Sequence, residues 1–283
     1  MKDRYRVVII VPAGYKHSLC FTEVAFLLRN SLTANGISCD ITVNDLAADS
    51  INIILGFHLL AFGDYLAPYK YIPYQLEQLS AAEGVFSDNV KKILSGGVAV
   101  WDYSAENIEF LRTQGISAKL LPVGFHESME QVPQAAEKDI DVLFFGSLGE
   151  RRQAVLTKLE KAGKAPKVKT LFGVYGRERD EFIGRSKILL NIHYYSTKIF
   201  EAVRVSYLLN NRCCVVSEES SVYPYAGVNI PLVAYDALPE KCLDILDKGE
   251  DGAASYKSIG EASYSEFKAR YEMKELIRKL VVS

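Results

Sequence analysis

Residues 5–11 (YRVVIIV) form a continuous, largely β-branched apolar run, the pattern of a strand buried on both faces of a parallel sheet. The run ends in a Pro12-Ala13-Gly14 turn. Between residues 19 and 35 the period changes. Phe21, Val24, Ala25, Leu28 and Leu32 fall on one helical face, and Asn35-Gly36 supplies a stop. Residues 38–43 and 51–57 (INIILGF) read as the second and third strands. Residues 97–101 (GVAVW) read as another strand, followed by a helix over 105–114 with Ser104 as N-cap and Gly115 as the C′ glycine. Residues 119–123 close this first sheet. Periodicity then lapses over residues 126–138 (HESMEQVPQAAEK), which reads as a linker.

The second half restarts the pattern. Residues 140–145 (IDVLFF) predict a strand running into GSLGERR and a helix over 153–162. A strand over 167–172, a turn over 173–176 and a charged helix over 177–185 follow, then a strand over 187–192 (KILLNI). After a short polar and aromatic loop, a helix opens on Phe200-Glu201, and strands follow over 213–217 (CCVVS) and 230–233. Helices are expected over 238–246 and 264–281. Strand and helix alternate in both halves, which predicts two doubly wound α/β units. The tyrosine-rich stretch 65–79 (YLAPYKYIPYQLEQL) has two readings: a sugar-binding wall of rings and amides, or core packing.

A chain of 283 residues suits two domains of about 130 residues each. Lysine and arginine total 33 against 35 acidic residues, a balance with no electrostatic footprint for nucleic acid. The five cysteines show no metal-type spacing and read as reduced core residues of a cytoplasmic protein. The N-terminal apolar run is too short for a signal-peptide core, and no stretch reaches the ~20 apolar residues of a membrane helix. Peripheral membrane contact stays compatible with this composition.

The candidate chemistry lies in the second half. Ligands of parallel sheets bind outside the carboxyl ends of strands, where a starting helix directs unpaired N–H groups at an anion. That places a phosphate at the loop 193–198, with Thr197, Lys198 and Ile199 offering backbone contacts. Glu201 and Arg204, three residues apart, share one helical face beside it. Gly146 and Ser147 form a strand-to-helix turn that lets backbone approach a ligand, with Arg151 and Arg152 at the helix entrance to grip phosphate oxygens. In the first half, the loop PAGYKHS has one glycine and is not a dinucleotide fingerprint; with Lys16 and His17 it reads as an acceptor-side loop or a solvated turn. Asp102 and Glu77 are the carboxylates there that fit an acceptor base or a structural role.

In their order, these motifs resemble the GT-B glycosyltransferases. Residues 140–219 look like the nucleotide-sugar-binding domain of retaining, family 4-like enzymes: Phe144-Phe145-Gly146-Ser147 with Arg151-Arg152, then Phe200-Glu201-Ala202, then Cys214-Val215-Val216-Ser217-Glu218. Trp101 to Ser104 and Asn191 to Tyr195 also resemble patterns of a broad bacterial group of uncharacterised glycosyltransferases. The resemblance implies two Rossmann-like domains facing across a cleft. Residues 1–126 with a returning C-terminal helix (262–283) would form the acceptor side, and 139–261 the nucleotide-sugar-binding domain. It implies a sugar transferase of polysaccharide, glycolipid or glycosylated-metabolite synthesis, with no metal and no cofactor beyond the nucleotide-sugar donor, and a sugar, lipid-linked or small-molecule acceptor. The family's glutamate pair, eight positions apart, falls on His193 and Glu201. Glu201 would hold the ribose, His193 would touch the sugar or β-phosphate, and Arg152 and Arg204 would stabilise the leaving group. A neutral histidine exchanges hydrogen bonds with a hydroxyl but supplies no fixed negative charge. A nucleotide-sugar epimerase of the same fold and a non-catalytic nucleotide-sugar-binding protein are the alternatives.

Overall fold

The computed structural model describes residues 4–80, 85–163 and 165–281. It divides into two compact units, Met1–Ser128 with Tyr271–Ser283, and Met129–Arg270. Residues 262–270, expected with the first domain, belong to the second unit, and residues 1–3 and 282–283 of the expected ranges lie outside the described residues.

Unit 1 contains β1 (Tyr5–Ile9), α1 (Thr22–Ala34), β2 (Cys39–Val43), β3 (Ile51–Leu55), β4 (Tyr71–Gln75), α2 (Asp88–Gly96), β5 (Trp101–Asp102), α3 (Ala105–Thr113) and β6 (Lys119–Leu120). Its parallel sheet has the order β2-β1-β3-β4-β5-β6. The sequence pattern did not single out α2, whose N-cap Ser87 accepts a hydrogen bond from the Val90 amide. The tyrosines of the 65–79 stretch divide. Tyr71 and Tyr74 are buried and donate to the Ile93 and Leu121 carbonyls at 2.9 and 2.7 Å, so they are core; Tyr65 is exposed. Buried Tyr and Trp serve a core when their polar tips find a partner, as these do.

Unit 2 contains β7 (Ile140–Phe145), α4 (Glu150–Glu160), β8 (Val168–Leu171), α5 (Gly176–Gly184), β9 (Ser186–Asn191), α6 (Ala202–Asn210), β10 (Cys214–Glu218), β11 (Leu232–Val233), α7 (Leu238–Asp247) and α8 (Tyr256–Arg270). Its parallel sheet runs β11-β10-β9-β7-β8. Val142, Phe144, Ile188, Leu190, Cys214 and Val216 meet Leu156, Leu159, Leu238 and Ile245 in one apolar cluster. Cys213, Cys214 and Cys242 are buried and free, and burial raises the Cys213 and Cys242 thiols to about 12. They behave as small hydrophobes.

The helix expected over 264–281 is two helices. α8 ends at Arg270, and α9 (Met273–Val281) lies in unit 1. Between them the chain pairs with residue 125 in a parallel bridge: the Phe125 amide donates to the Tyr271 carbonyl and the Met273 amide to the Phe125 carbonyl, both at 2.7 Å. Those bonds take backbone groups a continuous helix would need. Gly124 permits the approach, since a Cβ there would collide with the Tyr271 carbonyl. α9 packs on α1, and Asn35 Nδ2 donates to the Lys274 carbonyl at 2.8 Å. Among the described residues, no helix is long and apolar enough to cross a membrane.

Candidate functional site

Strand order locates the site. In the sheet of unit 2, the first strand of the unit (β7) lies between its second (β8) and third (β9), so successive connections leave in opposite directions between β7 and β9. Ligands of open α/β sheets bind outside the carboxyl ends at such a switch point. Here those ends are Gly146-Ser147 and Ile192-His193, and α6 starts beside them with Glu201 at its N-cap position.

Gly146 has φ +135°, and a Cβ there would lie 2.7 Å from Nη2 of Arg204. The glycine therefore makes room for the Arg204 guanidinium. Arg204 Nη1 donates to Asn191 Oδ1 at 2.8 Å, and its guanidinium lies over the Phe144 and Phe145 rings at 5.7 and 5.5 Å. Burial pulls its pKa down, and the Glu201 carboxylate opposes that. Glu201 lies close to three polar groups. His193 Nδ1 is 2.9 Å from its Oε2, Asn191 Nδ2 donates to Oε2 at 3.2 Å, and Arg152 Nη2 lies 3.6 Å from Oε1. Burial alone would raise the Glu201 carboxyl; His193, Arg204 and Arg152 outweigh it and hold the carboxyl below its ordinary range. Neither His193 Nδ1 nor Glu201 Oε1 has an aligned hydrogen-bond partner among the described residues. An enclosed carboxylate oxygen in that state is an acceptor waiting for a donor.

Arg152, predicted to meet the leaving group, is 3% exposed and turned inward. Its Nε and Nη2 donate to the Ile192 carbonyl at 2.9 and 2.7 Å, and Nη1 to the Ser147 carbonyl at 2.8 Å. It ties the two crest loops together, and burial followed by repulsion from Arg204 pushes its pKa down to about 10. Arg151 faces the other way, in a bidentate pair with Glu218 at 2.7 and 2.5 Å, over the Tyr235 ring at 4.1 Å. Lys198 has φ 51° and its Nζ lies 3.4 Å from Glu218 Oε1. Its amide donates to the Tyr195 carbonyl, and Ser221 bonds the Thr197 and Lys198 carbonyls, while Ile199 is buried. The loop 197–199 is thus fastened to the crest.

The arrangement depends on two residues to which sequence reading gave no role. Glu218, 1% exposed, accepts from Arg151 and from the His193 amide at 3.2 Å. Asn191, 0% exposed, joins Glu201, Arg204 and Ser217 Oγ. Their one signal was position: each is a polar residue at the end of a continuous apolar strand, where a side chain reaches the crest. Four cations, Arg151, Arg152, Lys198 and Arg204, meet two carboxylates, Glu201 and Glu218, leaving two positive charges when His193 is neutral. Among the described residues, no group of three or more His, Cys, Asp or Glu is placed to hold a metal ion.

Burial raises the Glu218 carboxyl, but the Arg151 hydrogen bond and the nearby positive charge outweigh it, so its pKa lies below the ordinary 4.5. A depressed carboxyl contributes stability that is complete above the unfolded value and is lost as pH falls through the folded one. Glu218→Gln is therefore expected to lower Tm at neutral pH and to flatten the acid limb of a Tm-against-pH curve below 4.5. An acid limb identical to that of the parent would refute the pairing.

No protein-family model matches the chain. It is similar to uncharacterised proteins of Acanthamoeba polyphaga mimivirus. L137 is 29% identical over 188 residues, 63% of this chain and 25% of that protein; R358 is 31% identical over 167 residues, 56% of this chain and 57% of that protein. The chain thus spans between a quarter and just over half the length of these curated relatives. Among solved structures it resembles Anabaena HepE in complex with UDP-glucose, with TM-score 0.62, 13% identity, and coverage of 98% of this chain and 100% of that one. It resembles the DNA-modifying enzyme β-glucosyltransferase with TM-score 0.52 and 12% identity, over 99% and 100% of the two chains. Staphylococcus aureus TarM, solved with UDP, gives TM-score 0.59 at 11% identity over 83% of this chain and 55% of that one. These neighbours are GT-B glycosyltransferases, and at such identities the likeness is one of fold: α/β, with two Rossmann-like domains.

Proposed function

We propose that this chain is a nucleotide-sugar-dependent glycosyltransferase that binds the diphosphate of its donor at the switch point of unit 2. The observation that carries the reading is the surplus of two positive charges there, beside Glu201 Oε1, which has the Arg152 guanidinium at 3.6 Å but no hydrogen-bond partner among the described residues. A leaving diphosphate gains negative charge as the glycosidic bond breaks, and fixed cations stabilise it most where water is excluded. Arg204 answers that charge, with Arg151 and Lys198 at the rim. Glu201 Oε1 accepts from a ribose hydroxyl, His193 bonds the sugar or the β-phosphate, and Arg152 holds the crest in shape. Because arginines supply the counter-charge, the reaction is proposed to proceed without a metal. HepE and TarM were solved with UDP-glucose and UDP, which makes a UDP-sugar the first donor to test. A sugar, lipid-linked or small-molecule acceptor fits the same chemistry, in polysaccharide, glycolipid or glycosylated-metabolite synthesis. His193 stands where retaining relatives of the implied family carry a glutamate, so the anomeric configuration of the product, read by proton NMR, is the second quantity to measure.

The test is a thermal-shift series over UDP, GDP, dTDP, CMP and their sugar conjugates, followed by transfer assays. Ligand at a hundred times Kd adds about 2.7 kcal/mol of stability, a rise of roughly 5–10 °C for a chain of this size. No shift with any nucleotide would end the proposal. Product formed without an acceptor would indicate an epimerase, and binding without turnover a binding protein.

A further inference from the structure

Donor and acceptor roles at the switch point of unit 2 are fixed from both ends. Arg204 can only donate, so Asn191 meets its Nη1 with Oδ1, at 2.8 Å, and turns Nδ2 toward Glu201 Oε2, at 3.2 Å. Ser217 agrees with that orientation: its Oγ donates to the Glu218 carbonyl at 2.9 Å and accepts from the same Asn191 Nδ2 at 3.0 Å. Glu201 Oε2 is therefore an acceptor. At the other end stands the main-chain carbonyl of Glu219, which also can only accept.

His193 lies between these two oxygens. Its Nε2 is 3.1 Å from the Glu219 carbonyl, and its Nδ1 is 2.9 Å from Glu201 Oε2, out of line for an ideal hydrogen bond. The ring is 0% exposed, so bulk water does not reach in to separate either pair. A neutral imidazole has one N–H and one bare nitrogen. Either tautomer would press a nitrogen lone pair against an oxygen, at Glu219 in one case and at Glu201 in the other. The imidazolium alone offers a proton to both.

The charges around the ring agree. Burial would raise the Glu201 carboxyl, but His193, Arg204 and Arg152 hold it below its ordinary range, so the proton between the two groups sits on the ring. From α4 come Arg151 and Arg152, from α6 Glu201 and Arg204, from the loop before α6 Lys198, and from the end of β10 Glu218. Arg151 and Lys198 are paired with Glu218, which also accepts from the His193 amide, and Arg204 is bonded to Asn191. Coulomb attraction falls with separation, so the carboxylate 2.9 Å away governs the ring.

We propose that His193 is an imidazolium at neutral pH and is the positioning residue of Glu201, pinning Oε2 so that Oε1 is presented to the donor. The role rests on the glycosyltransferase reading of the same site and precedes any contact of the ring with sugar or phosphate. Loss of the proton turns the Nδ1 lone pair on the carboxylate and releases it from that position, so nucleotide binding weakens as pH rises.

Two measurements on the whole chain test this. Histidine labelled with 15N is observed by NMR at pH 7.5 without nucleotide, the His193 signal being assigned by its loss from His193→Asn and, independently, from His193→Gln. Both ring nitrogens should bear protons. A bare nitrogen on His193 overturns the proposal, whatever the protein binds. UDP is then titrated calorimetrically between pH 7 and pH 9. His193→Gln, which moves the amide toward the place of Nε2, should raise the Kd about tenfold at pH 7, the size of one hydrogen bond to a charged group. His193→Asn, whose amide donates from the place of Nδ1 but does not titrate, should recover part of that loss. Its Kd should also lack the rise with pH that the parent shows wherever the His193 signal reports proton loss. A merely structural histidine would give neither the rescue nor the pH profile. If both variants bind UDP as the parent does, the positioning role falls while the donor site stands. A parent that binds no UDP at any pH ends the donor-site reading and the positioning role together.

Discussion

Arg204→Ala is expected to weaken binding of a nucleoside diphosphate about a hundredfold, the equivalent of roughly 2.8 kcal/mol. Three observations set that size. Among the described residues the Arg204 side chain makes one hydrogen bond, to Asn191, and its Nη2 lies against Gly146 at the switch point. Burial makes its charge hard to replace by solvent, and its charge helps to keep Glu201 ionised. On the proposed reading, removing it takes away a phosphate partner and weakens the ribose contact together. Arg204→Lys should recover part of the loss, because an ammonium keeps the charge but cannot fork between Asn191 and a phosphate. Arg152→Ala gives the contrast. Its donors are spent on the Ile192 and Ser147 carbonyls, so its loss should appear first in Tm and only through misplacement of the crest in affinity. Calorimetric titration of UDP against the three variants decides the matter. An Arg204→Ala protein that binds as tightly as the parent would exclude this guanidinium from the donor site.

Asn211→Ala is expected to be the most destabilising of the single changes considered in unit 2, by about 3 kcal/mol, lowering Tm by roughly 10 °C. The side chain is 3% exposed and makes four backbone hydrogen bonds. It accepts from the Gln131 and Val132 amides at 2.8 and 2.9 Å and donates to the Met129 and Tyr207 carbonyls at 2.9 and 2.8 Å. The first three partners belong to the segment that sequence reading took for a linker. Alanine would leave two amides and two carbonyls without this partner, and buried groups left unmatched cost far more than the bonds had contributed. Arg212 supports the same segment. Its Nη1 donates to Glu130 Oε2 at 2.7 Å, and its guanidinium lies 3.8 Å over Tyr264, whose hydroxyl donates to Glu130 Oε1. A calorimetric Tm for Asn211→Ala within about 2 °C of the parent would show that the segment is held by something else.

Both residues show where reading the sequence stopped. Arg204 was legible because a cation three positions after a helix-opening glutamate shares its face, a matter of local geometry. Asn211 was not, because nothing in Asn210-Asn211-Arg212 distinguishes a helix-end turn from a clamp on residues some eighty positions earlier. Arg151 and Arg152 looked equivalent on the page. One residue of helix advance turns a side chain by about a hundred degrees, and that rotation sends Arg152 beneath the crest and Arg151 to Glu218. The tyrosines of 65–79 could not be apportioned between wall and core without knowing which face of β4 each occupied.

The alternation of apolar runs and helical periods was sufficient by itself for two α/β halves and for the strands of each sheet that run longest. Those are properties of neighbouring residues, and short-range sterics and periodic burial write them directly into the chain. Strand order, the division of the last helix, the inward turn of Arg152 and the meeting of Glu201, His193, Asn191 and Glu218 belong to the tertiary structure alone. Each depends on which distant segments share one dry space, where a charge must find its partner or remain unpaired at a cost that no local pattern records.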